Sequence, residues 1–162
     1  MAYDSTNIDG KGAAMSEPVN NELMELAHKV LIDARFGALG TVFHTGHPYV
    51  SLVQIAAIGR GDAIMLLSSL AQHTKNINVS KNVSLLIDGT TGLSDKKRPN
   101  NTRITLMGQI TQSTDDAHRN IFLAAHPVAA TWQKFNDFSV YRLCTDRIHV
   151  VVGFGKVGWI TL

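Results

Sequence analysis

Apolar positions recur at three- and four-residue spacing from Leu23 through Leu26, Ala27, Val30 and Leu31 to Ala34, which predicts an amphipathic helix from Asn20 to about Phe36-Gly37. Its apolar stripe requires a surface to pack on. The pattern then turns to β. Ala38–His44 and Tyr49–Ile58 flank the turn Thr45-Gly46-His47-Pro48, and Gly59-Arg60-Gly61-Asp62 leads into Ala63–Ser68; these read as consecutive antiparallel strands. Leu70–Val79 reads as a short helix, Val83–Asp88 as a strand, and 89–101 as a loop by composition. Arg103–Thr111 is extended, with Ile104, Leu106 and Ile110 alternating with polar or small residues across Gly108. Thr114 or Asp115 can cap a helix from Asp116 to Ala125, which Pro127 breaks, with helical residues continuing to about Phe135. Phe138–Leu143 and Arg147–Val152 are the last strands, before a tail ending Trp159-Ile160-Thr161-Leu162. Residues 1–19, rich in Gly, Ser, Asp and Asn, predict a disordered arm, and 20–162 a single domain. With six or so strands and no regular parallel βαβ units, the fold expected is mainly β with flanking helices, a small antiparallel barrel.

Composition changes this picture in one respect. Of the 162 residues only 17% are charged, against about 25% in an average soluble domain, while the hydrophobic share of 44% is ordinary. A sparsely charged exterior on a chain of this size points to oligomerisation or a large cofactor rather than an unusually big core. Lys and Arg total 15 and Asp and Glu 13, so charge predicts no nucleic-acid partner. No apolar stretch approaches the about 18 residues of a membrane span. The opening MAYDSTNIDGKGAAM, with Asp4 and Asp9, lacks the apolar run of about seven residues that a signal peptide needs. No membrane association and a cytoplasmic location are therefore the expectation. The single Cys144 excludes an intramolecular disulfide and a multi-cysteine metal centre, and is expected as a buried thiol on a strand. His28, His44, His47, His73, His118, His126 and His149 show no metal-ligand spacing, so no metal site is predicted.

Gly153-Phe154-Gly155-Lys156-Val157-Gly158 has the spacing G-x-G-x-x-G, but it opens no helix and no acidic residue follows it for a ribose. Its glycines are expected to permit a bulge or close backbone approach at the barrel's end. The densest chemical signal is Ser68-Ser69-Leu70-Ala71-Gln72-His73-Thr74-Lys75-Asn76. Hydroxyls at a strand end, then a helix start carrying Thr74 and Lys75, offer donors, free N–H groups and a cation, the requirements of a phosphate monoester. The same segment also suits an ordinary serine-rich helix cap with one solvated lysine.

The ordered set Gly46-x-Pro48-x-x-Ser51-x-Val53, Leu66-Leu67-Ser68-Ser69-Leu70-Ala71-x-His73-Thr74-Lys75-Asn76, Val83-Ser84-Leu85-Leu86 and Arg103-Ile104-Thr105-Leu106-x-Gly108 resembles the pyridoxamine 5′-phosphate oxidase-like FMN-binding split-barrel family. His126-Pro127-x-Ala129, Asp137-Phe138-x-x-Tyr141-Arg142-Leu143 and Gly153-Phe154-Gly155 place it near the branch that includes bacterial heme-utilisation proteins. The resemblance spans about residues 22–158. It implies a six-stranded antiparallel Greek-key split β-barrel, paired as a two-fold homodimer with FMN at the subunit interface. Carried over, Ser51, Leu52 and Val53 lie beside the isoalloxazine ring and offer it backbone groups, Ser68 and Ser69 border the ribityl chain, and Thr74 and Lys75 bind the phosphate. Arg103 falls at a polar flavin contact or, equally, in a strand-edge salt bridge.

Lys75 replaces the arginine common in this branch, keeping the charge and losing the bidentate fork. The C-terminal aromatic and arginine pair that holds substrate in pyridoxamine-phosphate oxidases is not recognisable, so pyridoxal-phosphate synthesis is not expected; Trp159 reads as a dimer-core residue. No histidine follows His149, which weighs against heme ligation and against heme degradation. The function the resemblance implies is an FMN-dependent oxidoreductase passing a hydride or electrons to a small-molecule substrate. The alternative is a non-catalytic binder of heme or flavin in heme utilisation, and deazaflavin is a further candidate cofactor. A split barrel that has lost its cofactor is the third. No side chain is assigned a catalytic acid or base role.

Overall fold

The computed structural model describes residues 17–89, 102–132, 134–153 and 156–162. Apart from residues 17–19, the expected N-terminal arm lies outside the described residues, as does nearly all of the loop 89–101. The amphipathic helix α1 runs from Glu17 to Asp33. It stops short of the expected Phe36 because Phe36 and Gly37 pair with Gln54 and Val53 of the sheet. Arg35 closes the helix end, its guanidinium donating to the carbonyls of Ile32 and Ala34 at 3.0 Å.

Eight strands follow in one antiparallel sheet: β1 (Phe36–Val42), β2 (Pro48–Gln54), β3 (Ala56–Ile58), β4 (Asp62–Ser68), β5 (Asn82–Asp88), β6 (Thr102–Gln112), β7 (Phe138–Val152) and β8 (Lys156–Thr161). Their order is β2-β1-β5-β6-β7-β4-β3, with β8 on the far half of β7. Among the described residues the sheet curls into a mainly β half-barrel with three α-helices, a split barrel with more strands than the six expected. The extended run Tyr49–Ile58 divides at Ile55, where β2 leaves its pairing with β1 and β3 begins its own with β4. The two expected C-terminal strands are one continuous β7 of fifteen residues, and the tail pairs back onto it as β8. Gly153, at φ 54°, turns β7 toward β8; Phe154 and Gly155 lie outside the described residues.

The sheet's concave side holds the main core. Leu39, Val53, Leu85, Ile104, Leu106, Ile148, Val150 and Ile160 meet Leu23, Ala27 and Leu31 of α1 and Ile77 of α2 (Gln72–Val79). Each fully buried aliphatic side chain contributes roughly 1.5–3 kcal/mol. α3 (Asp116–Ala125) has the limits its sequence predicts: Asp115 caps it, accepting the Ala117 N–H at 2.8 Å, and a 3₁₀ turn at Pro127–Thr131 follows. Phe122 of α3 and Ala129 of that turn cover Ile64, Leu66 and Val140 on the convex side of β4 and β7. Packed on both faces, β4 is a continuous buried run rather than an alternating one.

Between β6 and β7 the register slips at Met107/Gly108. The extra residue is Asp146 of β7, and beside it Thr145 turns inward, its N–H donating to Asp62 Oδ1 (2.9 Å) and its hydroxyl to the Gly61 carbonyl (2.8 Å). Arg142 completes the pin with two bonds to Asp62 Oδ2, at 3.0 and 2.6 Å. Cys144, placed between inward-facing Leu143 and Thr145, points outward and is exposed, contrary to the buried thiol expected.

Candidate functional site

Ser68 ends β4 and starts a turn. Its hydroxyl donates to Asp137 Oδ2 at 2.5 Å and accepts the Leu70 N–H at 3.1 Å, while the Ser69 N–H donates to the Asp137 carbonyl at 2.7 Å. The turn delivers the chain to α2, whose N-cap residue Ala71 offers no side-chain acceptor. The N–H groups of Thr74 and Lys75 reach the Ala71 carbonyl, leaving those of Gln72 and His73 without an intrahelical acceptor. A chain of side-chain bonds fixes the helix to β1 and β2. Gln72 donates to Asn76, buried Asn76 donates to Thr41 at 2.9 Å, and Ser51 Oγ and His73 Nδ1 share a hydrogen bond of 3.1 Å.

Six of the expected site residues gather around this helix start or on β2 beside it: Ser51, Leu52, Ser68, Ser69, Thr74 and Lys75. Lys75 is exposed. Thr74 is only 1% exposed, and its hydroxyl has no partner. The phase of β2 sorts the three residues expected beside the cofactor ring. The Phe43 N–H donates to the His47 carbonyl and the Ile55 N–H to the Arg35 carbonyl. Antiparallel alternation then turns the backbone groups of Ser51 and Val53 toward β1 and those of Val50 and Leu52 toward the sheet's unpaired edge. Val53 packs its side chain in the core. Arg103 is not among this group. It lies on β6, three strand spacings of about 4.8 Å from β2, or about 14 Å across the sheet.

Arg103 belongs instead to the convex face that α3 leaves uncovered. Cross-strand partners there form a row, Leu52, Ala38, Leu86, Thr105, His149 and Trp159, running across β2, β1, β5, β6, β7 and β8. Val50 and Leu52 are 66% and 74% exposed, and Leu86, Met107, Val157 and Trp159 are exposed as well. The His149 ring rests against the Trp159 ring, centroids 4.5 Å apart and tilted 30°. Burial, and then the charge of Arg103, hold His149 below the usual histidine pKa. Burial alone lowers His73.

Local sequence gave no signal for His149, Trp159 or Leu86 as neighbours, because strands far apart in the chain bring them together. His73 and Asp137 stood within the quoted motifs without an assigned contact. The lowered pKa of His73 has a stability consequence. Folding favours its neutral form, so the stability it confers is complete above the unfolded value near 6.5 and declines as pH falls below it toward the lower folded value. Thermal midpoints measured from pH 7.5 to 5.5 should fall, and His73→Gln, which keeps a hydrogen-bonding side chain opposite Ser51, should flatten that slope.

A family model described as CREG, beta-barrel, matches residues 18–162. The non-canonical heme oxygenase HOZ, chloroplastic, of Arabidopsis thaliana is 34% identical over 113 residues, 68% of this chain and 33% of that protein; the chain thus spans about a third of this curated relative. The structure of a heme binding protein from Mycobacterium smegmatis superposes with a TM-score of 0.79 at 27% identity, over 86% of this chain and 57% of that one. A protein related to general stress protein 26, of the pyridoxinephosphate oxidase family, from Clostridium acetobutylicum aligns with a TM-score of 0.66 at 12% identity, over 88% and 96% of the two chains. The last likeness is one of fold.

Proposed function

The chain belongs to the CREG beta-barrel family, and from that footing we propose that it is a homodimer binding a planar cofactor on the open face of its barrel, with heme as the first reading. The observation that carries this is the row from Leu52 to Trp159, uncovered among the described residues, a broad apolar surface containing an imidazole whose pKa burial and the neighbouring Arg103 lower. These residues suit heme: apolar side chains for the macrocycle, Arg103 for a carboxylate, histidine for iron. The names of the Arabidopsis and Mycobacterium relatives support the same ligand class. A second copy would cover whatever part of the face the cofactor leaves open, and would account for the low charged fraction of 17%. Hemin added to the purified protein should give a Soret band that survives gel filtration, and hemin passing through unbound would sink the reading.

FMN is the second reading, and the start of α2 favours it. A buried hydroxyl without a partner costs about 1–3 kcal/mol, which a phosphate oxygen reaching Thr74 would relieve. The Gln72 and His73 N–H groups and the Lys75 cation add donors, while Leu52 presents free backbone groups to the ring's polar edge. Bound there, FMN would supply hydride or electron transfer to a small-molecule substrate. Thr74→Ala with Lys75→Ala should then weaken FMN binding by about tenfold or more in a fluorescence titration. An unchanged affinity, or a protein that yields no flavin on extraction and takes up none, would leave heme alone.

A further inference from the structure

The chain has seven histidines, and their placement narrows which can meet a ligand on the open face. His126 is buried and bonded to the Ile55 carbonyl, His118 is bonded to Ser113, and His73 to Ser51 on the concave side. His47 is bonded to Thr45 in the β1–β2 turn, beside His44, whose ring rests on Phe43. His28 lies on α1. His149 differs from all of these. Its chain neighbours Ile148 and Val150 are buried in the core, so strand alternation places its side chain on the convex face.

We propose that His149 supplies the axial imidazole to iron when this chain binds an iron tetrapyrrole, and that Arg103 pairs with a carboxylate at the ring's edge. The inference rests on the heme reading above. Iron in such a ring takes four nitrogens from the macrocycle, so one protein imidazole suffices and no cluster of ligating side chains is needed. Among the described residues no such cluster of three or more His, Cys, Asp or Glu exists.

Three features suit His149 to the task. Ligation requires a neutral imidazole, and burial together with Arg103 favours that form. The ring is braced by Trp159, its direct cross-strand partner, so little rotamer freedom is lost on binding. Its partner on the other side, Thr105, is short, so the residue directly opposite on β6 leaves room beside the imidazole. Flanking strands contribute exposed Leu86, Met107 and Val157 as apolar surface. Arg103 lies two residues before Thr105 on the same face, and its exposed guanidinium can take a carboxylate in bidentate fashion.

The test uses the full chain and hemin, read by absorption and electron paramagnetic resonance. Wild-type protein should show the spectra of imidazole-ligated ferric heme. His149→Ala should lose them and bind about tenfold or more weakly, with added free imidazole restoring the spectrum. His149→Gln keeps a planar group against Trp159 and guards against a folding defect; it should lose the same signature while its circular dichroism melt stays near wild type. Arg103→Ala should weaken binding by about threefold to tenfold and leave the ligand signature in place. Wild-type spectra and affinity in both His149 variants would overturn the assignment while leaving heme binding intact. Failure of the wild type to bind hemin would overturn the heme reading and the assignment with it.

Discussion

Replacing Gly108 by alanine should cost the protein a large share of its stability. A Cβ at this position would sit 2.0 Å from the Cys144 carbonyl oxygen, 2.9 Å from Thr145 Cα and 3.0 Å from the Cys144 carbonyl carbon. All three are backbone atoms of β7, so no side chain can rotate away. The contact falls where the β6–β7 register slips, and β7 cannot retreat freely because Thr145 and Arg142 are pinned to Asp62. Relief requires parting two strands at the centre of the sheet and stretching their ladder. The expected loss is about 4 kcal/mol or more, a large share of the roughly 5–15 kcal/mol that holds a domain together. Urea unfolding measures it. Gly46→Ala is the comparison: its φ of 87° strains a side chain, but nothing lies within 4 Å, so about 1–2 kcal/mol is expected there. A Gly108→Ala protein within about 1 kcal/mol of wild type would mean that β6 and β7 do not meet in this register.

That same bulge marks the limit of what the sequence discloses. α3 was legible to the residue because its signals are local: Asp115 caps it and Pro127 blocks its continuation. The concave core was legible through the alternation of Ile104 and Leu106 and the stripe of α1. Cys144 was misread because the polar Thr145, not the cysteine, takes the inward position beside the bulge, pinned there by Asp62 and Gly61, 83 and 84 residues earlier in the chain. Ile55 is apolar and uninterrupted in sequence, so the division of β2 from β3 reflects a change of pairing partner and not a change of composition. The site divides the same way. The start of α2, contiguous in the chain, was visible as a group of donors and a cation. The convex row is assembled from six strands, and nothing in any one of them announces it.

In the homodimer proposed above, Leu52→Asp should shift the protein from dimer to monomer. Leu52 and Val50 are the most prominent apolar side chains on β2, and they stand on an edge strand whose backbone groups at those positions face no partner strand. The apolar surface continues through Leu86 and Met107 to Trp159 and Val157. Exposed apolar patches of several hundred Å² are uncommon on monomers and mark contact surfaces. A carboxylate introduced there must be desolvated when a second copy covers it, and Arg103 of the same convex face is about 14 Å away across the sheet. The expected weakening of self-association is about a hundredfold or more, which corresponds to about 2.7 kcal/mol. Sedimentation equilibrium from about 1 to 100 μM resolves this shift. Folding should be undisturbed, because the side chain is already in water within one subunit. Val128→Asp is the matched control. Val128 is 68% exposed, but it lies on the 3₁₀ turn after α3, on the part of the convex side that this chain covers itself. It should leave the proposed dimer intact, and Leu52→Asp should also lower hemin retention, since in the proposed assembly the cofactor and the second copy share one face. A Leu52→Asp protein that still sediments as the wild-type dimer would separate the two and require the second copy to dock elsewhere.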